Sequence, residues 1–201
     1  GGEGGIVTTN DADLWSRIWS LKDHGKSWQA MYERAHPPGP RLVHEHIGGN
    51  GRMIEMQAAI GLIQLKLMPT WTARRAALAA RLRAALEPLS LFRVPPVGED
   101  VAHAWYRVYA FVRPERLAED WTRDRVIEEI NARGGFCVHG SAPEIYLERA
   151  FDGIRPAERL PAARALGETS VAFLAHPTIT DADMERVCEA VAEVAARATG
   201  A

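Results

Sequence analysis

Residues 48 to 61 read Gly48-Gly49-Asn50-Gly51-Arg52-Met53-Ile54-Glu55-Met56-Gln57-Ala58-Ala59-Ile60-Gly61. A glycine-rich turn hands over to a helix within a few residues. The glycines leave the backbone open to a bound group, Asn50 offers an amide donor, and the helix N-terminus that follows is a natural anion site. Arg52 adds a planar fork suited to a carboxylate or a phosphate. A plain glycine-rich turn capping a helix accounts for the same residues, so the stretch alone leaves both readings open. From Met53 onward, Ile54, Ala58, Ala59, Ile60, Leu62, Ile63 and Leu65 leave little polar face. That pattern predicts a helix whose first turns are buried on most sides. Pro69 is expected to interrupt it. Thr70 or Thr72 then restarts a helix on the stripe Leu78, Leu82 and Leu86, which ends at Pro88.

Upstream, Gly1-Gly2-Glu3-Gly4-Gly5 stands directly before a β-like run, Ile6-Val7-Thr8-Thr9. Glycine clusters are kept where the chain must turn tightly or approach a ligand. The cluster therefore reads as the middle of a site, and the chain as the C-terminal part of a larger enzyme. It matches neither the phosphate-loop nor the dinucleotide fingerprint, and a plain turn explains it equally well. Asn10 or Asp11 can cap a helix running to about Leu21, with Leu14, Trp15, Ile18 and Trp19 on one broad face, until His24-Gly25 stops it. From Lys26 to Gly51 the chain is loop-like and includes Pro37-Pro38-Gly39-Pro40. A loop of that length is functional or packs on a partner.

Downstream, strand and helix patterns alternate. Trp105 to Val112 reads as a strand, Thr122 caps a helix stopped by Gly134-Gly135, and Phe136-Cys137-Val138 is a short strand. Glu158 to Gly167 reads as a helix and Val171 to Ala175 as an apolar strand. Thr180 with Asp183 forms a capping box for a last helix on Met184, Val187, Cys188, Val191 and Val194. A small sheet covered by helices follows, hence an α/β or α+β fold.

Hydrophobic residues are 47% and charged residues 25% of the 201, which is ordinary for a globular chain. The formal net charge of −2 gives no electrostatic reason to expect nucleic acid or an anionic membrane as partner. No apolar run approaches the ~20 residues of a membrane helix. Cys137 and Cys188 cannot build a disulfide framework, and free thiols are the default for a cytoplasmic chain. Both fall in predicted element interiors and read as core residues. Arginine outnumbers lysine 21 to 3, which fits a GC-rich bacterial genome. His44-Glu45-His46 lacks a clear third partner and reads as a solvated loop, so no metal site is expected. His139-Gly140-Ser141 follows a buried strand, where site residues often gather, but neither a nucleophile elbow nor an acid partner supports hydrolase chemistry.

Taken in order, these pieces resemble the DegT/DnrJ/StrS family of nucleotide-sugar aminotransferases, pyridoxal-phosphate enzymes of fold type I. The stretch from Gly2 through Asn10 looks like the family's segment just after its Schiff-base lysine. Leu21-Lys22-Asp23-His24-Gly25 is similar to a helix end in the family, and Asn50 to Gly61 is close to its most recognisable run. His103-Ala104-Trp105-Tyr106, Val138-His139 and His176-Pro177-Thr178 through Asp181 follow in family order. Two departures stand out. Gly51 replaces the usual aromatic between the asparagine and the arginine, and Gly140-Ser141 replaces an aromatic that often follows the histidine.

The resemblance implies pyridoxal 5'-phosphate as cofactor and a homodimer whose sites are shared across the interface. It implies that Asn50 reaches the cofactor phosphate of the neighbouring subunit. Arg52 is implied to lie near the same pocket and to meet the amino donor's carboxylate or a sugar phosphate, and His139 to contact substrate. Substrates are then a nucleotide sugar and an amino acid, with glutamate as donor, in polysaccharide or deoxysugar synthesis. The catalytic lysine is expected upstream of Gly1. Lys22, Lys26 and Lys66 do not stand in its place, so this chain alone is expected to be inactive. The expected domains are 1–68, closing a large cofactor-binding domain and carrying the interface loop, a connecting helix at 69–88, and a small domain at 89–201. Two alternatives stay open: a related sugar dehydratase, and a non-catalytic regulatory or dimerisation module on the same scaffold.

Overall fold

The computed structural model describes residues 2–39 and 41–200. Gly1 of the glycine cluster, Pro40 of the proline-rich turn and the terminal Ala201 lie outside the described residues. The chain divides into two compact units, Gly1–Leu67 and Met68–Ala201.

In the first unit, helix α1 (Ala12–Lys22) starts where Asp11 accepts the Leu14 amide at 2.9 Å, and Asp13 suits the positive end of its dipole. It stops at two consecutive left-handed residues, His24 (φ 59°) and Gly25 (φ 77°). The long connection beyond is built. Ser27 Oγ accepts the Ala30 amide at 3.0 Å and opens a π-helical turn, Gln29–Glu33. This turn brings Trp28 and Tyr32 onto α1: ring centroids lie 5.5 Å apart for both Trp15–Trp28 and Trp19–Trp28, and 4.3 Å apart for Trp28–Tyr32. The strand expected at Ile6–Thr9 does not form among the described residues. Strands need a ladder partner, nothing pairs with this run, and Ile6 and Val7 are exposed.

Helix α2 (Glu55–Leu86) runs through Pro69, where the sequence predicts a break. Proline forfeits one backbone bond there and costs about 3 kcal/mol. Good helix formers on both sides, from Leu65 to Met68 and from Ala73 to Ala77, carry the helix past it. A second expectation fails at the helix start. Met56, Ile60, Leu62, Ile63 and Leu65 are exposed, not buried on most sides. Their apolar pattern has no cover among the described residues.

The second unit is a four-stranded antiparallel sheet with helices on it. Strands β1 (Phe92–Arg93), β2 (Arg107–Val112), β3 (Cys137–His139) and β4 (Ser170–Leu174) lie in the order β1-β2-β4-β3. Val108 faces Phe173 across the β2–β4 ladder and Cys137 faces Phe173 across β3–β4. Alternation along β2 sends Val108, Ala110 and Val112 into the core. There they join Val126 and Ile130 of α3 (Arg123–Ala132), Val187, Val191 and Val194 of α5 (Asp181–Thr199), and Leu78, Leu82 and Leu86 of α2. Thr122 caps α3, and the Thr180–Asp183 capping box opens α5. Gly134 (φ 81°) and Gly135 close α3, whose Ile130 carbonyl accepts the Gly135 amide at 3.0 Å. The remaining helix, α4 (Pro161–Thr169), begins three residues later than its sequence pattern suggests, with Pro161 in its first turn. Strand β2 begins at Arg107 and not Trp105, because Trp105 is left-handed (φ 49°) and cannot extend a ladder. Fold and class are those expected: mixed helix and sheet, with the second unit antiparallel throughout.

Candidate functional site

Asn50 and Arg52 come together in the first unit because the end of α1 grips the turn that precedes α2. The His24 amide donates to the Gly49 carbonyl at 2.9 Å, Gly49 to Leu21 at 2.9 Å, and Gly51 to Lys22 at 2.8 Å. Asp23 and Asn50 thereby pair as a short antiparallel bridge. Lower down, the Glu45 and His46 amides both donate to the Gly25 carbonyl at 2.9 Å. Such close approach demands glycine on both sides. A Cβ on Gly25 would sit 1.7 Å from the His46 carbonyl oxygen, and one on Gly48 would sit 2.3 Å from the Gly25 nitrogen.

On this frame Arg52 Nε donates to Asn50 Oδ1 at 3.2 Å. With its oxygen so engaged, the exposed Asn50 amide keeps its NH₂ to donate elsewhere. Arg52 Nη1 lies 3.5 Å from Asp23 Oδ1, and Arg52 Nη2 donates to His24 Nε2 at 3.2 Å. His44 Nδ1 donates to the His24 carbonyl at 2.9 Å, so this histidine braces the loop. Asp23 is buried and also meets Lys26 at 3.3 Å. Burial by itself raises its pKa, but Lys26, then Arg52 and Lys22, outweigh that and hold it below the usual carboxylate range. Three cations therefore surround one carboxylate, and the surplus charge is positive. Lys22 also stands 5.4 Å from the Trp19 ring. Beside Arg52 opens a cleft of about 580 Å³ walled by Ile6, Val7, Trp15, Trp19 and Lys22.

These features fit an anionic group such as a phosphate: a free amide donor, a half-exposed guanidinium fixed in direction, and excess positive charge. Sequence reasoning passes over Asp23, the anchor of the arrangement. The signal available is an acid between two lysines at a helix end, Lys22-Asp23-His24-Gly25-Lys26. His139 belongs to the second unit. It is exposed at the end of β3, where its Nδ1–H donates to the Gly140 carbonyl at 2.9 Å and Ser141 Oγ lies 3.0 Å from the Tyr109 hydroxyl. The two cysteines pack in or against the core.

Comparison with known proteins bears on what such a frame serves. The model of the DegT/DnrJ/EryC1/StrS aminotransferase family matches residues 1–192. The chain belongs to that family. Among curated relatives it is 31% identical over 198 residues to the dTDP-3-amino-3,4,6-trideoxy-alpha-D-glucose transaminase of Streptomyces venezuelae, covering 98% of this chain and 47% of that protein. It is 32% identical over 200 residues to the spore coat polysaccharide biosynthesis protein SpsC of Bacillus subtilis, covering 96% of this chain and 50% of that protein. The chain thus spans about half the length of these relatives. A solved aminotransferase from Psychrobacter cryohalolentis superposes with a TM-score of 0.89 at 48% identity, covering 95% of this chain and 51% of its own. DesV of S. venezuelae superposes with a TM-score of 0.76 at 26% identity, over 93% of this chain and 45% of its own. These neighbours share the mixed helix-and-sheet fold expected from the sequence, and the chain covers about half of each.

Proposed function

We propose that this chain is part of a pyridoxal-phosphate aminotransferase that installs an amino group on a keto nucleotide sugar, with glutamate as donor, for polysaccharide or deoxysugar synthesis in the bacterial cytoplasm. The observation that carries the reading is family membership over residues 1–192 together with the Asn50–Arg52 pair held over Asp23. Pyridoxal phosphate, when bound, supplies the electron sink for moving an amino group. In this reading residues 1–68 complete a large cofactor-binding domain, 69–88 connect it to a small domain at 89–201, and the protein is a homodimer. Asn50 donates its amide N–H to the phosphate of the cofactor held by the neighbouring subunit. Arg52, aimed by Asp23 and His24, receives the carboxylate of the amino donor or a phosphate of the sugar nucleotide. His139 contacts substrate from the second unit. No lysine of this chain serves as the catalytic base, so the chain by itself is inactive.

The test is absorbance spectroscopy of the full-length protein saturated with pyridoxal phosphate. The reading expects a bound-coenzyme band that changes on adding glutamate, and a weaker hold on the coenzyme in Asn50→Ala. A protein with no coenzyme band, or one indifferent to glutamate, would refute the aminotransferase assignment.

A further inference from the structure

The second unit carries a cleft of its own on the face of the sheet turned away from the core. Alternation along β2 turns Arg107, Tyr109 and Phe111 away from the core, and all three are half-buried. Over Arg107 and Tyr109, the 94–106 connection folds back and borders a half-open cleft of about 230 Å³. That volume is below the range of about 300–1,000 Å³ typical of drug-sized ligands, so the occupant is small.

The walls are built with care. Arg83 donates to the Pro95 carbonyl at 2.9 Å and to Glu87 at 3.0 Å, and its guanidinium lies 5.5 Å from the Trp105 ring. Trp105 adopts a left-handed backbone (φ 49°), a conformation that a bulky residue enters only under strain. The strained turn places its indole against the His103 ring, with centroids 4.1 Å apart. The Trp105 amide donates to His103 Nδ1 at 2.9 Å. Because Nδ1 accepts, the neutral ring carries its proton on Nε2 and can donate there.

Arg107 is the group left over. Its Nε is buried without a hydrogen-bond partner, and among the described residues it meets no carboxylate. Its guanidinium carbon stands 5.6 Å from the centre of the Tyr106 ring. Among the described residues, no acidic side chain lines the cleft. The Nε itself has no accessible surface, so what a half-buried Arg107 offers the cleft it lines is the rest of a guanidinium that no carboxylate neutralises.

We propose that this cleft binds a small oxyanion, a phosphate or carboxylate carried on a compact body. Arg107 and the His103 Nε2–H are its donors, and Trp105 with the proline-rich segment forms its apolar wall. The site lies wholly in the second unit and does not depend on the aminotransferase reading.

The test is isothermal titration of the intact protein with inorganic phosphate and, separately, with glutamate. It is done in an Arg52→Ala background, which removes the other arginine-centred anion site. Saturable binding is expected to persist in that background. Adding Arg107→Gln should weaken it about tenfold or more, since a charge-assisted hydrogen bond is lost. If Arg107→Gln does not fold, as judged by near-UV circular dichroism, His103→Phe decides, because it keeps the ring stack and removes the donor. Tighter binding of phosphate assigns a phosphate ester, and tighter binding of glutamate assigns a carboxylate. No saturable binding of either probe, or a loss smaller than fivefold in the deciding variant, overturns the proposal.

Discussion

Gly25→Ala should release the turn that carries Asn50 and Arg52. At φ 77° the new Cβ costs about 1–2 kcal/mol for the left-handed backbone alone. It would also sit 1.7 Å from the His46 carbonyl oxygen, where an ordinary carbon–oxygen contact is about 3.3 Å. That carbonyl must retreat by more than an ångström. The Glu45 and His46 amides both donate to Gly25, so both bonds go with it. At about 1 kcal/mol net for each bond, the local loss totals about 3–4 kcal/mol. Hydrogen exchange reads this directly. At tenfold per 1.4 kcal/mol, the Glu45, His46, Gly49 and Gly51 amides should exchange at least about a hundredfold faster. Amides of β2 in the second unit should not change. Gly49→Ala is the control, because its added Cβ meets no atom within 4 Å. Protection within twofold of wild type in Gly25→Ala would sink the claim that this glycine contact holds the site together.

Three further outcomes follow from the second unit. Phe173→Ala empties a fully buried position between β2 and β3, and should cost about 3–5 kcal/mol in urea unfolding; a loss under 1 kcal/mol would contradict the packing. Burial pushes the Cys137 thiol up to about 12, against a small opposing effect of Arg123, so iodoacetamide at pH 8 should leave it unmodified until the fold is denatured, while Cys188, raised less by burial, reacts first. Arg159, then the Tyr146 hydroxyl, hold the Glu144 carboxyl at about 2 against burial, below its ordinary 4.5. Its contribution is therefore full above about pH 4.5 and is lost as pH falls through 2, so the thermal midpoints of wild type and Glu144→Gln should converge over that window; a constant gap would contradict the sign.

Much of this fold is legible in the residues because local rules and tertiary context agree. The capping box at Thr180, the Thr122 cap, the Gly134-Gly135 stop and the period-two pattern of β2 each name an element that the structure contains. Misreadings occur where a partner or a flanking segment overrides what the residue alone favours. Ile6–Thr9 has the composition of a strand, but composition cannot supply a ladder neighbour. Trp105 is β-favouring and stands next to a strand, yet the His103 ring accepts its amide and turns the backbone left-handed. Pro69 looks like a break, and its penalty is real but smaller than the summed preference of the turns around it.

The site divides in the same way. Asn50 and Arg52 can be found in the sequence because glycines, an amide and a guanidinium stand together before a helix. Asp23 cannot be found so readily, because its role depends on backbone bonds that join residues 21–25 to residues 45–51. An acid between two lysines reads as an exposed helix end until the bridge to Asn50 buries it. The same reasoning explains the start of α2. Apolar residues on every side of a helix state how much cover it requires, not where the cover comes from. Exposure of Met56, Leu62, Ile63 and Leu65 is therefore no failure of helix patterning. The failure lies in the assumption that the cover is local, since a stretch with little polar face, exposed over about three turns from Met56 to Leu65, has more apolar surface than the described residues cover.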